Sequence, residues 1–180
     1  MEIPGEPVKL AQIESSANSK GQKFNVFETV YNTMENSDFA LVFGGEEVLC
    51  HKIVLAAASP AFKAMVENKH REAIEGKANI EFSEAVGRAF VRFIYTGDMQ
   101  EDLLKEHASA FLAMGELYDL QVLKSMAETE LLSQLDKENM VELISIGDIF
   151  RAENIFEAAL KMTRANMAWL RNQVTKAIRI

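Results

Sequence analysis

The stretch that decides the fold runs from Asp38 to Met65 and reads DFALVFGGEEVLCHKIVLAAASPAFKAM. The apolar run Phe39 to Phe43 is followed by Gly44-Gly45 and by a second extended run, Glu46 to His51. A tight hairpin turn needs positive φ, which glycine adopts without steric cost. The two runs and their glycines therefore predict a β-hairpin.

Two short helices are predicted directly after this hairpin. The segment Ile53 to Ala58 is small and apolar, and Ser59-Pro60 marks a second helix start. Serine there caps a free N–H and proline supplies the fixed φ of the first turn. The chain carries no charge between Lys52 and Lys63, so the first helix is apolar on all sides and must be buried on all sides. We therefore expect a partner to cover the apolar surface that the domain itself cannot bury.

Motifs in this stretch resemble the signature of the BTB/POZ domain. The matching residues are His51-Lys52, Val54-Leu55-Ala56-Ala57, Ser59-Pro60, Phe62 and Ala64-Met65, and a second hallmark is similar to Phe93-Ile94-Tyr95-Thr96-Gly97. The likeness extends to about Leu170 and is to the speckle-type POZ protein group in particular, the MATH–BTB substrate adaptors of cullin-3 ubiquitin ligases. It implies an α+β BTB/POZ fold, a small sheet with an N-terminal hairpin flanked by a helical cluster, plus a C-terminal helical hairpin.

The predicted organisation has four segments. Residues 1–23 are polar and form a flexible tail or linker, and residues 24–135 form the BTB/POZ domain. Residues 136–170 resemble the helical 3-box extension of cullin-3 adaptors, and residues 171–180 form a second tail. No internal repeat of fixed period is expected. The segment before residue 24, where such adaptors carry the MATH domain, is too short to be one, so either the chain is a fragment cut at a linker or the protein works without one.

Within the domain, hydrophobic spacing predicts the individual elements. Gly97 is placed as a helix C-cap, and Gly115 predicts a close helix–helix approach. Asp136 is predicted to cap a further helix, and the last helix is expected to start near Glu153. The predicted ranges are a helix over 24–35, an exposed loop over 67–77, a strand over 79–82 and a helix over 83–96.

Composition excludes several functional classes. The 180 residues include 19 basic and 27 acidic residues, a net charge of −8, without a basic stripe that could bind phosphates. Nucleic acid and anionic membrane surfaces are therefore not expected partners. The single cysteine, Cys50, fits a reducing compartment, and the chain has neither a secretory signal nor an apolar run of spanning length. We expect an intracellular protein of the nucleus, the cytoplasm or both.

No constellation of catalytic or metal-binding residues is found. Cys50 and His51 are adjacent on a strand, so their side chains point to opposite faces; a buried cysteine and a histidine that fixes the strand end are favoured over a catalytic pair. The spacings H-x-x-x-H and C-x-x-C are absent, and Gly44-Gly45 leads into a strand instead of a phosphate-binding helix. We expect no enzyme activity, no metal and no cofactor.

The resemblance implies a homodimer face built from the first helix after the hairpin and the N-terminal helix. Asp38 and Lys52 correspond to an acid and a base in a charged pocket near the two-fold axis; the alternative is an ordinary solvated pair. The apolar helix itself could instead be covered within one chain by the extension helices. The predicted dimer residues are Phe27, Tyr31, Asp38, Phe39, Lys52, Ile53, Val54, Ala57 and Ala58.

The resemblance also implies a face for the cullin-3 N-terminal domain. Family members hold an apolar–x–Glu motif after the second short helix, where this chain has His70-Arg71-Glu72: Glu72 matches and His70 departs from the apolar residue. Ala73-Ile74-Glu75, three residues on, also fits the pattern. For Phe62 and Tyr95, and for Met140, a core position is the alternative. The predicted cullin-binding residues are Phe62, Met65, His70, Glu72, Tyr95, Met140, Ile144 and Phe150.

These features together favour a non-catalytic dimeric module that acts as substrate adaptor of a cullin-3 RING ubiquitin ligase. Its substrates would be bound through a receptor domain absent from this chain. The alternative is a BTB homodimerisation module of a transcriptional or scaffold protein that does not bind cullin-3. The helical extension after Asp136 favours the first interpretation, and His70 favours the second.

Overall fold

The computed structural model describes residues 26–67 and 71–178, with side chains through residue 176. The predictions for residues 1–25, including the tail and Phe24, and those for His70 lie outside the described residues. In chain order the helices are α1 (Val26–Thr33), α2 (Lys52–Ala58), α3 (Pro60–Glu67), α4 (Arg71–Glu75), α5 (Glu84–Thr96), α6 (Glu101–Glu106), α7 (Ala108–Leu117), α8 (Gln121–Ser133), α9 (Met140–Ile149), α10 (Glu153–Ala165) and α11 (Met167–Ile178).

Three strands of the described chain form one mixed sheet in the order β2-β1-β3. The antiparallel hairpin of β1 (Phe39–Phe43) and β2 (Glu46–Cys50) closes with Phe43 opposite Glu46. Gly44 and Gly45 take φ of 58° and 95°, the left-handed conformation that a two-residue hairpin turn needs, so the predicted hairpin is confirmed. β3 (Lys77–Ile80) pairs parallel to β1 and lies two residues earlier than predicted.

The core lies between this sheet and the helices around it. Phe62 of α3 stacks on Tyr118 with ring centroids 4.4 Å apart, and Phe90 of α5 lies tilted against both rings. Ser59 starts α3 as predicted, because its Oγ accepts the N–H groups of Ala61 and Phe62. The same hydroxyl donates to the Tyr118 carbonyl, so the cap also ties α3 to the end of α7.

The C-terminal half contains an internal structural repeat, contrary to the sequence-based expectation. The hairpin of α7 and α8 recurs 32 residues later as α9 and α10, with helices of 10 and 13 residues in both copies. Gly115 and Gly147 occupy matching crossings, where an added Cβ would lie 2.8 Å from the Lys124 backbone and 2.7 Å from the Phe156 backbone. The close approach predicted for Gly115 is therefore confirmed. The repeat escapes sequence inspection because outside these glycines few residues are identical.

The connections of the two hairpins match as well. The residue before each second helix donates its N–H to the crossing glycine: Leu120 to Gly115 and Ala152 to Gly147, both at 2.8 Å. One residue earlier, Asp119 and Arg151 both adopt positive φ, 52° and 51°. The two copies are thus the same supersecondary unit, stacked in tandem.

Two segments differ from their predicted structure. The expected loop over 67–77 contains α4, a single turn with an Arg71–Glu75 ion pair at 2.5 Å and an exposed Ile74, so it shows no buried face from which a helix could be predicted. The segment taken as a C-terminal tail continues a helix to Ile178, so α10 is not the last helix. Met167, Leu170 and Val174 of α11 follow helical spacing, but the exposed residues between them obscure it.

Candidate protein-interaction site

An exposed apolar groove runs along α2 and the facing parts of α1 and α5. It encloses about 370 Å³. Ile53 is 79% exposed and Phe27 is 54% exposed, although both are large apolar side chains. The groove is lined by Phe27, Ile53, Val54, Ala57, Ala58, Ile94 and Tyr95.

The helix α2 is anchored by one buried side chain. Leu55 is fully buried in the core, whereas Ile53 and Ala57 on the other side of the helix are exposed. The alternative that the extension helices cover α2 within one chain is therefore wrong for Ile53. The sequence pattern gave no side of the helix, because a charge-free helix shows an apolar surface in every direction.

Phe39 does not belong to this face. It is 3% exposed and points into the core from β1, so its expected place in the dimer contact is wrong. Neither Asp38 nor Ala40, its neighbours in the chain, lines the groove. The unbroken apolar run from Phe39 to Phe43 is typical of a strand buried on both faces, and this signal was outweighed by the position that the family resemblance implied for Phe39.

A hydrogen-bond network fixes the base of α2 to α1 and α5. The Tyr95 hydroxyl accepts the His51 backbone N–H at 2.8 Å and lies 2.8 Å from His51 Nδ1. His51 Nε2 lies 2.8 Å from the Glu35 carbonyl at the end of α1. All three contacts are satisfied together when Nε2 carries the imidazole proton and donates to Glu35 while Tyr95 donates to Nδ1. His51 thus fixes the strand end, as predicted.

Asp38 and Lys52 are brought together, but not as the expected pair of charged groups. The Asp38 carboxylate accepts the backbone N–H of Lys52 at 2.8 Å and so caps the start of α2. The Lys52 ammonium lies instead 3.4 Å from the Ala73 carbonyl and over the Phe39 ring, 5.7 Å from its centroid. The hydrogen bond between Asp38 and the Lys52 backbone is exposed, so its role within the chain is to cap the start of α2.

Burial controls the ionisation of the groups beneath this face. Desolvation raises the pKa of the Cys50 thiol to about 12, with the Leu41 backbone acting weakly in the opposite direction. Desolvation likewise raises the pKa of the Tyr95 phenol to about 12, against the bond from the His51 backbone. A neutral thiol is a poor nucleophile, so Cys50 has the character of a core residue.

We expect this chain to lose stability at alkaline pH. The folded-state pKa values of Cys50, Tyr95 and Tyr118 are all raised to about 12, so the native state retains protons that the unfolded chain releases from about pH 9 upwards. The contribution of these three groups to the free energy of unfolding should therefore be constant below pH 9 and fall as the pH rises towards 12. Urea unfolding followed by circular dichroism at pH 8 and pH 10.5 measures the difference. If a chain with both Tyr95→Phe and Cys50→Ala showed the same difference in the free energy of unfolding between these two pH values, the assignment of the pH dependence to these groups would be contradicted.

The residues predicted to bind a cullin separate into buried and accessible groups. Phe62, Tyr95 and Met140 are 0%, 4% and 0% exposed, so their side chains are core and their expected surface role is wrong. Half-buried positions remain open to a partner at Met65, Glu72, Ile144 and Phe150. In the second apolar–x–Glu motif, Ile74 is 77% exposed and Glu75 pairs with Arg71.

Two features of this surface were not predicted. Ile94 lines the groove and also a second depression that continues from it to Val122 of α8. Lys124 is buried although it is charged, and it joins the two helical hairpins.

Comparison with known proteins decides the family. The BTB/POZ domain family matches residues 27–135, more than half of the chain. The chain belongs to the BTB/POZ family. Its BTB domain therefore comprises the sheet, α1 to α8 and their shared core, and the α+β BTB fold predicted from the sequence is confirmed.

The BTB domain has both curated and structural relatives. The chain is 31% identical over 147 residues to Protein maternal effect lethal 26 of Caenorhabditis elegans, covering 79% of this chain and 36% of that protein. It thus spans about a third of the length of that relative. Among solved structures, the BTB domain of human gigaxonin matches with 23% identity and a TM-score of 0.44 over 70% of this chain and 97% of that chain.

Family membership defines the general role. BTB domains are non-catalytic protein-interaction modules that generally dimerise and bind partner proteins. No cluster of three or more candidate metal ligands occurs among residues 26–67 and 71–178. No helix in that part of the chain is long and apolar enough to cross a membrane.

Proposed function

We propose that this BTB domain forms a homodimer through the α2 groove and acts as the substrate adaptor of a cullin-3 ubiquitin ligase. The observation that carries the proposal is the 79% exposure of Ile53 on a helix that Leu55 anchors in the core. A large apolar side chain set in an apolar groove of about 370 Å³ is a feature of interaction surfaces.

The groove suits a second copy of the chain. In a two-fold interface both copies use the same patch. Ile53 of each copy would therefore fill the groove beside Ala57 of the other. The residues that line the groove are uncharged, and the charged residues Asp38 and Lys52 meet at the start of α2. An uncharged centre with polar groups at the edge is the usual anatomy of a dimer interface.

The cullin face is proposed from the accessible members of the predicted set. Met65 lies on α3 and Glu72 on α4, and Ile144 lies on α9 of the extension with Phe150 directly after it. We propose that residues 136–170 serve as the 3-box of this adaptor, as the resemblance to the speckle-type POZ protein group implies. The exposed Ile74 of the second apolar–x–Glu motif supports a contact at α4 in place of His70.

The mechanism makes and breaks no bonds within this chain. One face joins two copies, a second holds the cullin, and a receptor domain outside the chain brings substrates close to the ubiquitin-charged enzyme. Transfer is then accelerated by effective concentration, and two receptors in one dimer add avidity. The substrate is set by the receptor.

Binding to the cullin-3 N-terminal domain tests the adaptor role. We expect the purified chain to co-elute with that domain in size exclusion at micromolar concentration. Glu72→Lys should weaken the affinity about tenfold or more, because it reverses the charge at the acidic position of the motif. Glu46→Lys, an equal charge change at an exposed residue of β2, should leave the affinity unchanged.

A BTB dimerisation module without a cullin partner is the second candidate. His70 favours it, because a partly polar imidazole replaces the apolar anchor of the family motif. Absence of co-elution at micromolar concentration, with the dimer intact, would reject the adaptor role and support this candidate. Equal affinities for the Glu72→Lys and unmodified chains would reject the placement of the cullin face.

A further inference from the structure

A buried lysine joins the two helical hairpins. The Lys124 side chain is 11% exposed, and its ammonium lies 2.7 Å from Glu116 Oε2. The same ammonium donates to the Arg151 carbonyl at 3.1 Å. Glu116 and Lys124 belong to the first hairpin, whereas Arg151 lies in the turn between α9 and α10 of the second. The contact therefore crosses from the BTB domain to the extension.

The Arg151 carbonyl that Lys124 contacts lies at a helix C-terminus. Arg151 has φ of 51° at the end of α9, where the last carbonyl groups of a helix lack partners within the helix. A cation at a helix C-terminus is favoured by the helix dipole. The Arg151 side chain also lies 3.9 Å from the other carboxylate oxygen of Glu116, so the turn meets the first hairpin at two points.

Comparison of the two hairpins shows whether the Lys124 ammonium is needed to close one. The position equivalent to Lys124 in the second hairpin is Phe156, yet that hairpin closes in the same geometry. In the first hairpin, the close contact with Gly115 is made by the Lys124 backbone and Cβ. The charge is therefore unnecessary for closing a hairpin, and its contact with the Arg151 carbonyl lies between the two hairpins.

We propose that Lys124 is a positioning residue that holds α9 and α10 in a fixed orientation on the BTB domain. A paired, hydrogen-bonded charge is tolerated in a buried site, but removal of one partner leaves the other uncompensated. Loss of the Lys124 ammonium leaves Glu116 and the Arg151 carbonyl without their shared donor. The second hairpin then opens more often as a unit while the BTB core stays closed.

The experiment is hydrogen exchange of the full chain carrying Lys124→Met, a side chain of similar length without charge. We expect amide exchange over residues 140–165 to accelerate about tenfold or more, and amides of β1 and α5 to stay within about twofold. Lys161→Met, the same change at an exposed residue of α10, is the matched control and should leave both regions unchanged. Adding Glu116→Gln to Lys124→Met should accelerate exchange less than Glu116→Gln does in the unmodified chain, because the two changes share the Lys124–Glu116 contact and differ only in the Arg151–Glu116 contact.

The orientation of α9 and α10 also matters for cullin binding, a second readout that rests on the proposed function. If the unmodified chain binds the cullin-3 N-terminal domain, Lys124→Met should weaken the affinity several-fold while Lys161→Met does not. If the unmodified chain does not bind, the adaptor role fails but the exchange data still decide the role of Lys124. Equal acceleration in all regions, or none over residues 140–165, would overturn the positioning role.

Discussion

Ile53→Asp is expected to convert the proposed dimer of this BTB domain into a folded monomer. The side chain is 79% exposed in the single chain, so the substitution removes little from the core of its own protomer. At a two-fold interface one substitution appears twice. Each lost isoleucine burial costs about 1.5–3 kcal/mol, and each new carboxylate must also be desolvated. The dimer dissociation constant should therefore rise by at least about a hundredfold.

Sedimentation equilibrium over a range of concentrations measures this shift, and circular dichroism reports whether the chain stays folded. Ile74→Asp is the matched control, because Ile74 is 77% exposed but lies on α4, away from the α2 groove. It should leave the dimer unchanged. A soluble Ile53→Asp dimer of unchanged affinity would show that α2 does not form the dimer face.

Gly147→Val and Gly115→Val are expected to destabilise different parts of the molecule. At each glycine the first added atom would meet backbone of the facing helix at 2.7–2.8 Å, which cannot turn aside as a flexible side chain does. Overpacking of this kind costs about 3 kcal/mol, a large part of the stability of a domain. Gly147→Val should release α9 and α10 while the BTB core remains folded, and Gly115→Val should lower the stability of the core itself.

Urea unfolding resolves the two outcomes by two probes. Circular dichroism follows the whole chain, and fluorescence follows Trp169, the single tryptophan, which lies on α11 after the second hairpin. For Gly147→Val we expect the fluorescence transition to precede the main one. Ser145→Val, an exposed position of α9, is the control and should change stability by less than about 0.5 kcal/mol. Coincident transitions for both glycine variants would show that the hairpins unfold as one unit.

Much of the fold could be predicted because its signals are local. Gly44-Gly45 specifies a two-residue turn, Ser59-Pro60 a helix start and Gly97 a helix C-cap, and the structure has all three. Each of these depends on backbone geometry within four residues, which the side chain at that position determines. The family motif of residues 51–65 then supplied the arrangement of the elements.

The site was harder to predict because exposure is not a local property. Phe39 and Ile53 are both large apolar residues next to charged ones, yet one is 3% exposed and the other 79%. Only the tertiary position of their elements separates a core strand from an interaction helix. Lys124 illustrates the converse, since a lysine on a helix is ordinarily solvated and its partners Glu116 and Arg151 come from two other elements.

The most direct test of the account is the mass of the unmodified chain in solution at micromolar concentration. The chain weighs 20.2 kDa, so multi-angle light scattering after size exclusion should report about twice that value, a dimer formed through the α2 groove. A well-folded particle of 20.2 kDa that does not grow with concentration would contradict the central claim, because the exposed apolar face around Ile53 would then be stable in water without a second copy.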